Sequence, residues 1–398
     1  MAEILLTWEL GAGLGHLTRL LPIAQAFQAN GHSITLAARD LTHVRSLFGA
    51  LPRATFQAPL RHSRPRNPIL KSASFSQVLH NVGYDDANIL QGLLTAWQAI
   101  LNAVNPQLLI ADHSPTALLA ARGRKLKTAA IGGGFEFPKP GRPFTPFLDP
   151  LSGQQLGALL ATDDAMLENT NTALRRLQLP AIRALHDIYA GLDEACFLTL
   201  AELDHYGARE GVDYLGIRGM DGGQPAQWPE LDAPKIYAYL KPFPKLPEFL
   251  ALLKTTALNV LIYNNNLPRQ LVAAHSAANV SFVDRPLDLR QVADQAALAI
   301  VNANHATTGT LLLSGLPCLM IPLQAEQALL AGRVTRLGAG IAVNAMDEHN
   351  IMAGLKHMLA RATYRKVARK FSRKYRDFDV AGGERRMLSR LRNLLTES

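Results

Sequence analysis

The chain has 398 residues, room for two or three domains of about 150 residues each. With 48% hydrophobic and only 18% charged residues it can bury sizeable cores, which excludes a disordered chain, and its two cysteines exclude a disulfide scaffold or a four-cysteine zinc site. The 41 Lys and Arg against 32 Asp and Glu leave a net charge of +9, concentrated rather than spread.

The opening MAEILLTWEL has no basic stretch leading into an apolar run, so no secretory signal is expected. Ile4 to Thr7 reads as a strand, and Gly11, Gly13 and Gly15 follow as a loop. Leu17, Leu20, Leu21, Ala24 and Phe27 recur at helical spacing until Gly31. Strands are expected at 34–37, at 108–111 running into Asp112, and at 128–131 running into three glycines, with a helix at 116–122. Trp97, with Leu93 and Leu101, reads as core on a helix. After a stretch rich in Gly and Pro at 217–234, read as a linker, the alternation restarts. Strands are expected at 236–240, 260–263, 280–283, 298–301 and 318–321. The apolar run 311–323 is broken by Gly315, Pro317 and Pro322 and falls short of the ~20 residues a membrane span needs.

Strands alternating with helices imply an α/β protein with two doubly wound parallel sheets. The expected organisation is an α/β domain over 1–216, the linker over 217–234, a second α/β domain over 235–372, and a helical segment over 373–398. In such sheets ligands bind at the carboxyl ends of the strands. Two facing domains would bring the Gly11–His16 loop, Asp112 and the loops of the second half around one cleft.

Basic residues cluster at Arg61, Arg64, Arg66 and Lys71, and twelve more lie between Arg361 and Arg392 against Asp377, Asp379 and Glu384. A solvated helix face, an anionic ligand or an anionic membrane surface would each account for them. No nucleic-acid motif accompanies the charge, so nucleic acid is not an expected partner. The expected location is the cytoplasm, with peripheral contact at the inner membrane face left open. Oligomeric state is not legible.

The loop Gly11-Ala-Gly-Leu-Gly-His16 exposes backbone amides at a helix N-terminus, where anions are favoured. It lacks the third glycine of the dinucleotide fingerprint, which argues against a nicotinamide site despite Asp40 at the end of the second strand. A helix N-terminus disfavours imidazolium, so His16 suits a general base; it equally suits a simple cap. Asp112 is placed either to orient His16 or to cap the helix near Pro115, with Ser114 as the rival cap.

The stretch from Asp284 to Gly340 resembles the donor-binding box of nucleotide-sugar glycosyltransferases with the two-domain GT-B fold, a family that includes macrolide, plant and glucuronosyl glycosyltransferases. Pro286 matches the proline of the family's Trp-x-Pro-Gln start. Gly315-Leu316-Pro317 matches its Gly-Val-Pro, and Pro322-Leu-Gln-Ala-Glu-Gln327 matches its Pro-Leu-x-x-Asp/Glu-Gln end. The pattern continues through Arg333-Val334 and Leu337-Gly338-x-Gly340. The N-terminal Gly-x-Gly-His loop, Asp112 and the helical tail extend the match over most of the chain.

The resemblance implies an inverting transfer from a UDP- or dTDP-sugar to an acceptor hydroxyl, without metal or resident cofactor. His16 would be the base and Asp112 its partner. Donor contacts would come from Gly13, Gly15, Pro286, the loop residues Asn302, Ala306, Thr307 and Thr310, and Glu326 with Gln327 at the sugar hydroxyls. His305 and Lys241 either reach the diphosphate or are an ordinary loop histidine and a solvated strand-end lysine. Arg64 and Arg66 either face a small-molecule or lipid acceptor or lie on a surface loop, and Gly133 and Phe135 either approach the acceptor or form a tight turn. The last helices would return to the first domain. The chain departs from the family at Asn302 for the phosphate-binding histidine, Asn304 for a glycine, Thr310 for the ribose-binding glutamate, Asp284 for the stacking tryptophan and Leu287 for the glutamine. The base of the donor therefore stays open, as do a sugar-nucleotide epimerase and a non-catalytic binding protein on the same fold.

Overall fold

The apolar runs expected as strands form two separate six-stranded parallel sheets. The computed structural model describes residues 1–147, 150–218, 222–264 and 267–396; Gly219 and Asp221 of the expected linker lie outside these.

The first unit comprises Met1–Leu198, Gly211–Leu215 and the residues from Ala381 onward. Its strands are β1 (Glu3–Trp8), β2 (Ser33–Ala38), β3 (Ala54–Gln57), β4 (Leu108–Asp112), β5 (Lys127–Gly132) and β6 (Glu194–Phe197), in the order β3-β2-β1-β4-β5-β6. Its helices are α1 (Gly15–Ala29), α2 (Val44–Phe48), α3 (Phe75–Leu79), α4 (Ala87–Val104), α5 (Pro115–Ala121) and α6 (Gly153–Arg176). The strand order reverses between β1 and β4, whose register places Trp8 opposite Asp112. This switch point holds the loop before α1 and the end of β4 side by side.

The second unit comprises Thr199–Glu210 and Gly216–Val380. Its strands are β7 (Lys235–Tyr239), β8 (Asn259–Tyr263), β9 (Val280–Val283), β10 (Leu298–Val301), β11 (Cys318–Met320) and β12 (Gly340–Ala342), in the order β12-β11-β10-β7-β8-β9. Its helices are α7 (Leu246–Lys254), α8 (Arg269–His275), α9 (Leu289–Gln295), α10 (His305–Leu313), α11 (Ala325–Leu337), α12 (Glu348–Leu359) and α13 (Ala362–Lys374). The final helix, α14 (Val380–Asn393), carries the chain into the first unit.

Side chains alternate between the two faces of each strand, and both faces are covered. In the second sheet Tyr237, Leu261, Ala299 and Val301 pack with Leu311 and Leu330 on one side. Ile236, Ala238, Val260, Ile262 and Ile300 pack with Phe249 and Leu355 on the other. In the first unit Ile4, Leu6 and Ile110 pack with Leu20 and Phe27 of α1, and Met387 and Leu391 of the last helix, with Leu394 just after it, join that cluster. The close fit requires Gly383, whose added Cβ would lie 2.1 Å from the carbonyl oxygen of Leu215.

Three strands went unread in the sequence: β3, β6 and β12. All are sheet edges of three or four residues, and β3 alternates half-buried and exposed positions. A strand with one neighbour carries a weak apolar signal. The linker reading also needs amendment. The Gln224 amide donates to the Pro286 carbonyl at 2.9 Å, and Ala226 and Trp228 pack on the core of the second unit. This stretch is bound to that unit because Gly223 lets its backbone lie against Leu287 and Asp288. Among the described residues no helix is long and apolar enough to cross a membrane.

Candidate functional site

At the switch point of the first sheet, His16 and Asp112 meet. His16 lies in the first turn of α1, and its Nδ1 is 2.9 Å from Oδ1 of Asp112. Asp112 is fully buried and makes no cap to α5. Ser114, the rival cap, donates its hydroxyl to the Asp112 carbonyl at 3.2 Å and gives α5 no side-chain cap either. Instead, Glu9 serves that helix end. Its carboxylate accepts from the Thr116 hydroxyl and from the Thr116 and Ala117 amides, and burial pushes its pKa up to about 7. The orienting reading of Asp112 therefore has the geometry, and the capping reading has none.

Trp8, Gly11 and Arg19 further confine the imidazole. Trp8 stacks on it, 4.9 Å between centroids at 16°. The loop before α1 turns at Gly11 with φ +84°, and a Cβ there would fall 2.5 Å from His16 Nε2, so only glycine leaves the ring its place. One turn along α1, Arg19 reaches the same point. Its guanidinium is 2.9 Å from His16 Nδ1, 3.0 Å from Asp112 Oδ1 and 2.8 Å from Glu136 Oε1.

Nδ1 lies 2.9 Å from both Oδ1 of Asp112 and the Arg19 guanidinium, so it donates to the carboxylate when protonated and accepts from Arg19 when bare. With the proton on Nδ1, Oδ1 of Asp112 receives two donors, His16 and Arg19, and Nε2 is left as the basic nitrogen.

Neither Arg19 nor Glu136 was singled out in the sequence. Arg19 was within reach of it, because residues three apart share a helix face. Glu136 was not: it tucks under β5 only because Gly132 has no side chain, an added Cβ meeting its carboxyl at 2.7 Å. Its Oε2 accepts from the Gly133 amide at 2.8 Å. Phe135 beside it joins Phe75 and His113 in an aromatic cluster. His113 is buried there, and burial lowers its pKa to about 3, so this second imidazole is neutral. Gly13 and Gly15 leave bare backbone, with nothing within 4 Å of a Cβ at either. Arg64 and Arg66 are exposed, while Arg61 of the same loop turns inward to pair with Asp85.

Among the described residues, His16, Asp112 and Glu136 are the acidic and histidine groups close enough to share a metal ion. Arg19 bridges the two carboxylates and so puts a fixed positive charge between them. The donor set does not fit a cation.

The second unit gathers most of the remaining site residues at the ends of β7, β10 and β11. Asn302 is fully buried and fully engaged. Its Oδ1 accepts from the Lys241 amide at 2.6 Å and its Nδ2 donates to the Ile321 carbonyl at 2.8 Å, clamping three strand ends together. Gln327 is likewise occupied, accepting from the Leu323 amide and donating to Asn304 Oδ1 at 3.0 Å. His305 opens α10 with Nε2 2.8 Å from the Thr199 hydroxyl. Ala306 and Thr307 follow in that first turn, and the Thr310 hydroxyl turns back to the Ala306 carbonyl. The helix has no side-chain cap at Asn304. His205, which the sequence reading placed in the other domain, is buried and stacks on His305 at 5.5 Å, with Nε2 3.9 Å from Glu326 Oε1. Glu326 stands in the first turn of α11, partly exposed, and accepts from Gln324. Pro286 is half-buried on the loop after β9 and accepts from Gln224.

No protein-family model matches the chain. A PGL/p-HBAD biosynthesis glycosyltransferase of Mycobacterium tuberculosis H37Ra is 24% identical over 412 aligned residues, covering 96% of this chain and 90% of that protein. The solved structure of the glycotransferase of kitacinnamycin superposes with a TM-score of 0.69 at 14% identity, over 99% of both chains. The glycosyltransferase VinC, solved in complex with dTDP, superposes with a TM-score of 0.65 at 14% identity over 100% of both. The two six-stranded parallel sheets and these neighbours bear out the resemblance in its fold: this is the GT-B fold. The likeness along nearly the whole chain to a curated glycosyltransferase supports that activity in its coarse form.

Proposed function

We propose, from the premise that this chain is a GT-B-fold glycosyltransferase, that it moves a sugar from a nucleoside-diphosphate donor to an acceptor hydroxyl with inversion at the anomeric carbon. The observation that carries this reading is the His16–Asp112 pair at 2.9 Å, which leaves Nε2 as the basic nitrogen when Nδ1 carries the proton. In the reaction the acceptor oxygen attacks the anomeric carbon from the face opposite the diphosphate. The new C–O bond forms as the bond to the diphosphate oxygen breaks, and the electron pair leaves with the diphosphate. The hydroxyl proton passes to His16 Nε2, and Asp112 stabilises the imidazolium that results. The stacked indole of Trp8 favours the same charged form.

The leaving diphosphate is assigned to the uncapped N-terminus of α10 with His305 and Thr307, and to Lys241 after β7. Backbone amides there can neutralise it without a metal ion. Glu326 is assigned to the sugar hydroxyls. Asn302 and Gln327 hold the strand ends rather than reaching outward, so their contribution to donor binding is through loop shape. Gly13 and Gly15 offer unobstructed backbone to donor or acceptor. Arg64, Arg66, Gly133 and Phe135 are assigned to the acceptor side, and the exposed arginines suit an anionic or amphiphilic acceptor. VinC with its bound dTDP supports a nucleoside-diphosphate donor.

The test is a thermal-shift screen against UDP, dTDP, GDP and their sugar conjugates, followed by an acceptor screen with the best donor. A ligand that binds only the native state raises the midpoint by mass action. The expected result is one nucleotide that stabilises and a sugar conjugate that stabilises further, with transfer lost in His16→Ala while donor binding persists. Intact transfer in His16→Ala would remove the base assignment. Donor turnover without any acceptor would favour an epimerase, and no stabilisation at millimolar nucleotide would favour a non-catalytic protein.

A further inference from the structure

We propose that Arg19 is a positioning residue that sets the charge state of His16 by holding Asp112 and Glu136 on one guanidinium. The inference rests on the reading of His16 as a base, but its physical core is a charge balance independent of any substrate.

Among the described residues, charged side chains from separate segments gather beside the imidazole: Arg19 from α1, Asp112 from the end of β4 and Glu136 from the loop after β5, the last two with atoms within 4.8 Å of a ring nitrogen. The Asp112 side chain is fully buried, Glu136 is 10% exposed and Arg19 is 23% exposed, so water screens these charges weakly. His113 faces the same ring from the loop after β4 and is held neutral by burial. Glu9 and Arg39 sit on the loops after β1 and β2, where Arg39 donates to the Glu9 carbonyl.

Asp112 and Glu136 favour the imidazolium and Arg19 opposes it, so removing Arg19 stabilises the charged ring and removing Glu136 destabilises it. Arg19 suits the task because its planar fork reaches both carboxylates at 2.8 and 3.0 Å, which a lysine ammonium cannot match with one rigid group.

The experiment uses the full chain with nitrogen-15-labelled histidine and needs no ligand. His16 ring signals, assigned with His16→Gln, are followed by NMR across a pH series for wild type, Arg19→Met, Arg19→Lys, Glu136→Gln and the Arg19→Met/Glu136→Gln double variant. Opposite charges at this range shift a titration by about one to three pH units. Arg19→Met is expected to move the His16 titration up by about one unit or more, and Glu136→Gln to move it down by a similar amount. The double variant should return to within about half a unit of wild type, and Arg19→Lys should stay close to it. A merely structural role for Arg19 would broaden or unfold the spectrum without these opposed shifts.

Where transfer is measurable, the acidic limb of its pH profile is expected to follow the same order, with Arg19→Lys lowering kcat at an unmoved limb. Titrations of Arg19→Met and Glu136→Gln that move in the same direction, or not at all, overturn the proposal. Opposed shifts in a protein that transfers no sugar would uphold the charge balance and remove the glycosyltransferase reading instead.

Discussion

The imidazole of His16 lies flat against the indole of Trp8, with 4.9 Å between ring centroids. Trp8 ends β1 and His16 opens α1, so the glycine loop between them folds the chain back until the rings stack. The indole nitrogen donates to the Leu10 carbonyl at 2.8 Å, which fixes the plate on which the imidazole rests. Because a π-face attracts a cation by about 0.5–2 kcal/mol, the stack favours imidazolium over imidazole. Trp8→Leu is expected to lower kcat roughly 2- to 30-fold and to move the acidic limb of the pH profile downward. Trp8→Phe should keep most of the rate. Steady-state kinetics over pH 5–9 would check both.

Asp112→Asn keeps the shape of the pair and reverses its logic. The amide can donate to Nδ1 and leave the proton on Nε2, where it blocks the base. Transfer is expected to fall roughly 10²- to 10⁴-fold, the usual range for acid–base catalysis, with donor affinity unchanged. Loss of donor binding measured by calorimetry would show that Asp112 does something other than orient His16.

Gly11→Ala puts a methyl group where the His16 ring stands and strains a backbone held at φ +84°. The left-handed conformation alone costs about 1–2 kcal/mol for a residue with a Cβ. The expected outcome is a lower melting temperature together with transfer depressed well beyond that of Gly13→Ala, because Gly13 has nothing within 4 Å of its added Cβ. Equal activities in the two variants would mean that the ring position does not matter.

His113 makes stability depend on acidity. Its pKa falls from 6.5 when exposed to about 3 in the fold because burial disfavours its charge. A depressed folded pKa gives stability that is present above pH 6.5 and is lost as the pH falls toward 3. His113→Gln, neutral at every pH, is expected to flatten the decline of the unfolding midpoint between pH 6.5 and 4. Parallel denaturation curves for the two proteins across that window would rule out His113 as a source of acid lability.

Asn302 joins the ends of β7, β10 and β11 through two buried hydrogen bonds. Asn302→Ala would leave the Lys241 amide and the Ile321 carbonyl without these partners. At about 1–3 kcal/mol for each unsatisfied group, the loss of stability is expected to be roughly 2–6 kcal/mol. Urea denaturation would read it. Nucleotide affinity should fall as well, since the clamp shapes the loop that opens α10.

Much of the fold was legible because apolar runs alternating with amphipathic ones leave few architectures besides layered α/β units. The central strands were all readable, whereas β3, β6 and β12 were not, since short edge strands share the composition of loops. A strand-end carboxylate and a histidine at a glycine turn made His16 and Asp112 candidates, each with a capping alternative, and the resemblance implied their pairing. Asn302 and Gln327 were expected as ligand contacts from their positions in the donor box. Only their partners show that their polar atoms hold the protein together.

Alternation and turn residues are local properties, so the two parallel sheets and the glycine loop could be read from the sequence, while the pairing of His16 with Asp112 was implied by the family resemblance. Tertiary structure alone decided what surrounds that pair. Glu136 reaches it only through the space above Gly132, and Arg19 acquires its bridging role only when α1, β4 and the loop after β5 converge. His205 sits beside His305 only because Thr199–Glu210 folds with the second unit. The strength of a charge–charge contact depends on distance and burial, and both are set by segments far apart in the chain.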